Sequence, residues 1–295
     1  MADTTMSAKE RRMQRLKSRV WELDALRGLA ILLVVWDHTM FDMGSAFYYQ
    51  WVMSGSDFLF GLAEFASDYL HSELRVYGWP VFVFIFFLVS GMCTSFSKNN
   101  LIRGLKLAVV AVAISVVTYY GQESFGLGEI FILFGVLHCM SVCILFYAII
   151  ELILRLVFGK FKGYNYIRGG VMLALAVAFL AISYTNNVTL VEVARNHSGV
   201  TATSDWTGLF FFVRGEWWTA DYFPLFPFSG FFMLGAGLSA FLYPKKKSLL
   251  PKLDGKWNTF LTYPGRHSLF IYVVGQVVVI ALCGLLTYIY TGTFY

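Results

Sequence analysis

Apolar residues in this chain run in long blocks, and seven of them are long enough, or nearly so, to cross a hydrocarbon core of about 30 Å. They cover roughly 24–43, 79–97, 104–121, 129–157, 169–185, 222–242 and 267–290. The fourth is overlong, which predicts a tilted helix or a bend near Gly135. Between the first two, Phe58 to Leu70 has the spacing of an amphipathic surface helix. Polar residues inside the first block are also patterned. Asp24, Arg27, Ile31, Val35, His38 and Asp42 follow steps of three and four, so they share one helical face. Arg27 and His38 then lie roughly 16 Å apart along the axis. Charge inside a bilayer is expensive and ordinarily faces a protein interior or a water-filled cavity. One face therefore carries a cation near one surface, an imidazole deep inside, and a carboxylate one turn beyond. The plainer alternative is that Arg27 snorkels to the surface and His38 bonds a neighbouring helix.

Composition narrows the class. With 58% hydrophobic and 14% charged residues, the 295-residue chain is no ordinary soluble domain. It predicts an all-α polytopic membrane helix bundle of about seven transmembrane helices, with the lipid bilayer as its surroundings. Twenty of the 23 Lys and Arg residues fall on one set of alternate connections, and only Arg75, Arg195 and Arg214 on the other. The positive-inside rule then places the N-terminus inside and the C-terminus outside. Residues 1–22 read as a basic amphipathic interfacial segment, opened by a capping box at Ser7 to Glu10, and 23–295 as the transmembrane domain. No small-residue cleavage site follows the first apolar block, so the segment reads as retained. No nucleic-acid motif and no internal repeat is evident. Cys93, Cys139, Cys143 and Cys283 sit in apolar stretches without CxxC spacing and read as core residues.

Three polar foci carry candidate chemistry. The first is His38 with Asp42. The second is His138, in the run FGVLH of the fourth block, which the helical count puts at a depth similar to His38. Two buried histidines suit an acid–base pair or simple packing. No ligand-spaced pair such as HxxxH accompanies them, so no metal is expected. The third focus is an inner rim of Arg27, Ser97, Asn99, Asn100, Arg103, Lys106, Arg266, His267 and Ser268. These residues satisfy the topology rule or form a polyanion clamp, since Arg103 and Arg266 open or precede helices. On the opposite side, Trp206, Trp217, Trp218, Tyr222 and Phe223 interleave with Asp205, Glu216 and Asp221. Such a segment holds a sugar or an amine, or forms an interfacial aromatic belt.

Five stretches in order, LDALRGLAILLVVWDH, SGMCTSFSKNNLIRGLKL, ILFGVLHCMSV, DYFPLFPFSGFFMLG and YPGRHSLFIYV, resemble the transmembrane acetyltransferases related to heparan-α-glucosaminide N-acetyltransferase. The resemblance spans about Arg19 to Val279. It implies a multi-helix membrane enzyme that takes acetyl-CoA from the cytosolic side and acetylates an amino sugar or similar glycan acceptor on the far side. The family's catalytic histidine falls at His38. Arg27, Arg103, Lys106, Arg266 and Ser268 are then the candidate contacts of the CoA phosphates. Asp42 is the group expected to orient His38, and His138 a partner beside the thioester. Asp221 and Trp218 are expected to receive the acceptor. A deprotonated amine is needed for attack, and an imidazole base supplies that step; an acetyl-histidine carrier is equally compatible with the residues. The sequence departs from its relatives in lacking a large lumenal domain and in carrying Gly275-Gln276 where a His-Gln is common. A bacterial inner-membrane protein is the implied setting, with room for a homodimer. The rival classes are a proton-coupled transporter of a small polar solute and an O-acetyltransferase acting on a cell-envelope glycan.

Overall fold

Each apolar block of the sequence becomes a helix in the computed structural model, which describes residues 20–125, 131–186, 191, 200–202, 210, 217–219 and 221–293. For 122–125, 200–202 and 217–219 it describes the backbone alone. Helix α1 is Trp21–Phe41, and a π-helical turn, Asp42–Ala46, prolongs it. The short α2 (Tyr48–Met53) leads to α3 (Asp57–His71), the amphipathic segment predicted between the first two blocks. Ser56 caps α3 by accepting the Leu59 N–H at 3.4 Å, and Ser72 caps the next helix by accepting the Arg75 N–H at 3.2 Å. That helix, α4 (Glu73–Met92), tightens into a 3-10 turn at Cys93–Phe96. Then follow α5 (Asn100–Phe125), α6 (Val136–Phe158), α7 (Tyr164–Thr185), α8 (Leu225–Leu242), α9 (Thr259–Arg266) and α10 (Ser268–Thr291). Two three-residue strands, β1 (Val200–Ala202) and β2 (Trp217–Thr219), pair antiparallel between α7 and α8. The basic segment expected at the N-terminus lies, up to residue 19, outside the described residues.

Six of these helices, α4 to α8 and α10, are long and apolar enough to cross a membrane. The seventh expected span, α1, has 21 residues but carries Glu22, Asp24, Arg27 and Asp37. Its carboxylates at Asp24 and Asp37 are buried inside the protein. The fourth block proves shorter than its apolar run. Residues 131–135 are not helical, and α6 begins after Gly135. There the chain bridges to the entry of α8, with the Phe223 N–H donating to the Phe134 carbonyl at 3.2 Å. The interruption falls at Gly135, where the sequence predicts a bend, and takes the form of a new helix start.

Two close crossings fix the frame. A Cβ on Gly28 of α1 would strike the Leu261 carbonyl of α9, and one on Gly265 would strike the Asp24 carbonyl. Gly91 of α4 and Gly235 of α8 meet the Phe232 and Leu88 carbonyls in the same way. Small residues let helix backbones approach where lipid offers no hydrophobic drive between helices. The core between α4, α6 and α8 is aromatic: Phe228 lies 4.9 Å from Phe223 and 5.1 Å from Phe87, ring to ring. A buried polar knot ties α5, α6, α7 and α8 at one end. Arg168 donates to Glu151 at 3.1 Å and to Ser95 at 3.1 Å, and Asn100 donates to Glu151 at 3.2 Å. Ser95 in turn bonds Ser239 at 2.6 Å.

Candidate active site

A cavity of about 870 Å³ opens where the starts of α1, α5 and α10 meet the end of α4, a size suited to a small molecule or cofactor. Arg27, Lys98, Arg103 and Lys106 line it, with Asp24, Ser97, Asn99 and Ser268 beside them. Arg27 and Arg103 lie within electrostatic reach of each other. Like charges so placed repel unless an anion shares the space. The local sequence also aims two helix starts at this wall. Asn99 accepts the Ile102 N–H at 3.0 Å and so opens α5, and α10 opens at Ser268. Free N–H groups and the positive dipole end at such starts favour phosphate. Farther in, the wall turns apolar, with Phe86, Leu107, Leu137, Met140 and Tyr272.

Phe86 and Tyr272 also belong to a second, much smaller cavity of about 20 Å³. Val34, Asp37 and His38 of α1 line it, with Trp79, Phe82 and Val83 of α4, Val136 of α6, and Phe223. The cationic chamber and the pocket at His38 are thus neighbours with two aromatic rings common to their walls. The His38 ring stands edge-on to Tyr272, centroids 5.6 Å apart. Its Nδ1 lies 3.0 Å from the Val34 carbonyl, one turn back on the same helix. A carbonyl only accepts, so Nδ1 carries the hydrogen and Nε2 keeps its lone pair. Asp221 is buried beside this pocket, accepts the Val136 N–H at 2.9 Å, and lies within electrostatic reach of His38 and of Tyr272.

The family model for heparan-alpha-glucosaminide N-acetyltransferase, catalytic, matches residues 19–277. The chain belongs to this family. It is a multi-pass membrane protein of N-acetyltransferase type. No curated protein and no solved structure matches it.

On this acetyltransferase frame the sequence-derived residues fall into two groups. Arg27, Arg103, Lys106 and Ser268 come together around the large cavity, and His38 lines the small one. The others stand apart. Arg266 does not line the chamber; its Nε donates at 3.1 Å to Asp24, which does. Asp42, expected to orient His38, instead accepts from Gln276 Nε2 at 3.1 and 2.8 Å. The helical step that puts Asp42 one turn beyond His38 does not bring it to Nδ1, because the Val34 carbonyl takes that place. His138 faces α5 rather than either cavity. Its Nδ1 accepts the Gly135 N–H at 3.3 Å, and its Nε2 meets Ser115 Oγ at 3.1 Å, which donates to the Ile132 carbonyl at 2.7 Å. That chain is complete with a neutral ring protonated at Nε2, and it pins the start of α6. Asp221, expected at an open mouth, is only 5% exposed. Trp218 sits in β2 opposite Thr201, and its side chain lies outside the described residues.

Three groups were missed. Asp37 shares the small pocket with His38 and forms a buried ion pair with Arg75, Nε to Oδ1 2.9 Å and the second guanidinium nitrogen to Oδ2 3.3 Å. Tyr69 of α3 adds its hydroxyl at 3.3 Å. Burial and the Asp37 charge push that phenol up to about 12, so it remains a donor. A signal existed: Asp37 is adjacent to His38, and Arg75 is a rare cation on its side of the bundle. Phe86 and Tyr272, common to the two cavities, carried none, being aromatics within apolar runs.

Proposed function

We propose that this protein transfers an acetyl group from acetyl-CoA, entering from the cytosol, to the amine of an amino sugar or similar glycan acceptor reached from the other side. The observation that carries the reading is that a cation-lined chamber and the small pocket at His38 lie side by side, with Phe86 and Tyr272 common to their walls. Arg27, Arg103 and Lys106, with the starts of α5 and α10, hold the CoA phosphates. Ser268 adds a hydroxyl, and Arg266 keeps Asp24 from facing the anion as a free charge. The chamber's apolar wall suits the pantetheine arm, and the roughly 16 Å from Arg27 to His38 suits its length. The thioester supplies an activated acyl group. His38 Nε2 takes the proton from the acceptor amine. As the C–N bond forms, the C–S bond breaks, and the sulfur leaves with the electron pair and takes up a proton. Asp221 steadies the imidazolium as it forms, the part sequence spacing gave to Asp42. In this reading α1 is a seventh span, with the N-terminus inside and the C-terminus outside, in a bacterial inner membrane. Residues 1–22 lie on the anionic leaflet, and 23–295 form the acyltransferase domain.

The test is acetyl transfer from acetyl-CoA to glucosamine by purified protein in detergent. Release of CoA that requires both acceptor and His38 supports the reading. A folded protein that neither binds acetyl-CoA nor releases CoA leaves the carrier class in its place.

A further inference from the structure

We propose that the small cavity at His38 is a size filter that admits an acetyl group and refuses longer acyl chains. The proposal rests on the transferase reading above and deepens it. Its volume is about 20 Å³, room for little more than one water-sized body. A methyl group is of that size; a propionyl or butyryl chain adds one or two methylenes that have nowhere to go. The walls are fixed rather than yielding. Trp79, Phe82 and Val83 of α4 are each nearly fully buried, at 2%, 6% and 3% exposure. Trp79 leans on Phe82, Phe223 and Phe228 with ring centroids 5.6 to 6.4 Å apart, so its indole backs onto the aromatic core. Interiors packed this way accommodate an added methylene only by shifting side chains from their preferred rotamers.

The entrance has the same logic. Phe86 and Tyr272 line both cavities, so on this proposal an acyl group from the chamber reaches His38 past these two rings. A thioester carbonyl there faces His38, and the acyl chain beyond it points at Val83 and Phe82. In the transfer step the acyl C–S bond breaks and a C–N bond forms. The thiolate leaves with the electron pair, and the acyl chain stays in the pocket throughout. A chain too long for the pocket therefore holds the carbonyl away from Nε2, and selectivity appears both in binding and in turnover.

The experiment compares free CoA, acetyl-CoA, propionyl-CoA and butyryl-CoA on wild-type protein, first in binding and then in transfer to glucosamine. One misplaced methylene in a tight pocket changes kcat/KM by about 10–200-fold. Acetyl should therefore exceed propionyl by at least about tenfold, with butyryl lower still. Free CoA should bind as well as acetyl-CoA, and butyryl-CoA more weakly than either. Val83→Ala should raise the propionyl-to-acetyl ratio by about tenfold or more, and Val83→Leu should depress acetyl transfer without weakening free CoA. The wild-type series needs no variant to fold. Phe82→Leu enlarges the same pocket from the adjacent residue if Val83→Ala proves unstable. Equal binding and equal transfer of all three thioesters would overturn the filter and leave the transferase reading standing. Failure to bind any of them would remove both.

Discussion

His38 spends its Nδ1 hydrogen on the Val34 carbonyl, which fixes the ring and leaves Nε2 as the one nitrogen open to chemistry. His38→Ala should leave folding and CoA affinity near wild type while transfer falls by about 10²–10⁴-fold, the size of a lost general base. A well-folded variant that transfers normally would end this mechanism. Two carboxylates, Asp221 beside the His38 pocket and Asp42 on Gln276, are separated by experiment. Asp221→Asn should lower kcat by more than Asp42→Asn does, with the KM for acetyl-CoA little changed in either. The reverse order in steady-state rates would return Asp42 to the site. The sequence points to Asp42 because residues four apart are neighbours on one helix face. Asp221 reaches the same pocket through tertiary folding alone, anchored by the Val136 N–H. That Arg27, Arg103 and Lys106 line one chamber was legible because cations beside apolar blocks are a local pattern, and Ser268 from its place where a block opens. Phe86 and Tyr272 were not, since an aromatic that lines a passage and one that packs a core have the same spelling.

Among the helices, α5 and α4 make separable contributions. The start of α5 combines a cap, a dipole end and two cations facing one chamber. Arg103→Ala should raise the KM for acetyl-CoA by about tenfold or more and affect kcat less, because a phosphate contact serves ground and transition states alike. Equal KM values in variant and wild type would assign Arg103 to topology. At its opposite end α4 supplies Arg75 to the buried Asp37. Removing one member of such a pair strands the other charge, so Arg75→Met should cost about 3–5 kcal/mol. Asp37→Asn combined with Arg75→Met should recover part of that loss. Thermal unfolding in detergent measures both, and a double variant less stable than the single would contradict the account. The helices themselves were largely readable from apolar block length, and α3 from its amphipathic spacing. The start of α6 at Val136 was not, because residues 131–135 are as apolar as the helix that follows and tertiary contacts with the entry of α8 and with Ser115 mark it.

For the molecule as a whole, the basic asymmetry predicts that a reporter fused after Lys247 lies in the cytosol and one after Tyr295 outside it. Both on one side would remove α10, the candidate span that separates the two positions, from the set of spans. Alpha-helix α1 has a further property that follows from its being continuous from Trp21 to Phe41. Its Gly28 is locked against α9 by backbone contact, so the lower half cannot turn. The same rod carries Arg27 at one station and His38 at another, and it therefore works as a gauge whose graduations are residues. One alanine inserted between Leu32 and Leu33 would advance His38 by about 1.5 Å and swing it by about 100° around the rod. Arg27 would keep its place in the chamber wall proposed to hold the phosphates, while the imidazole faced a different neighbour. Such an insertion should yield a protein that still captures acetyl-CoA and no longer discharges it, a phase error rather than a missing part.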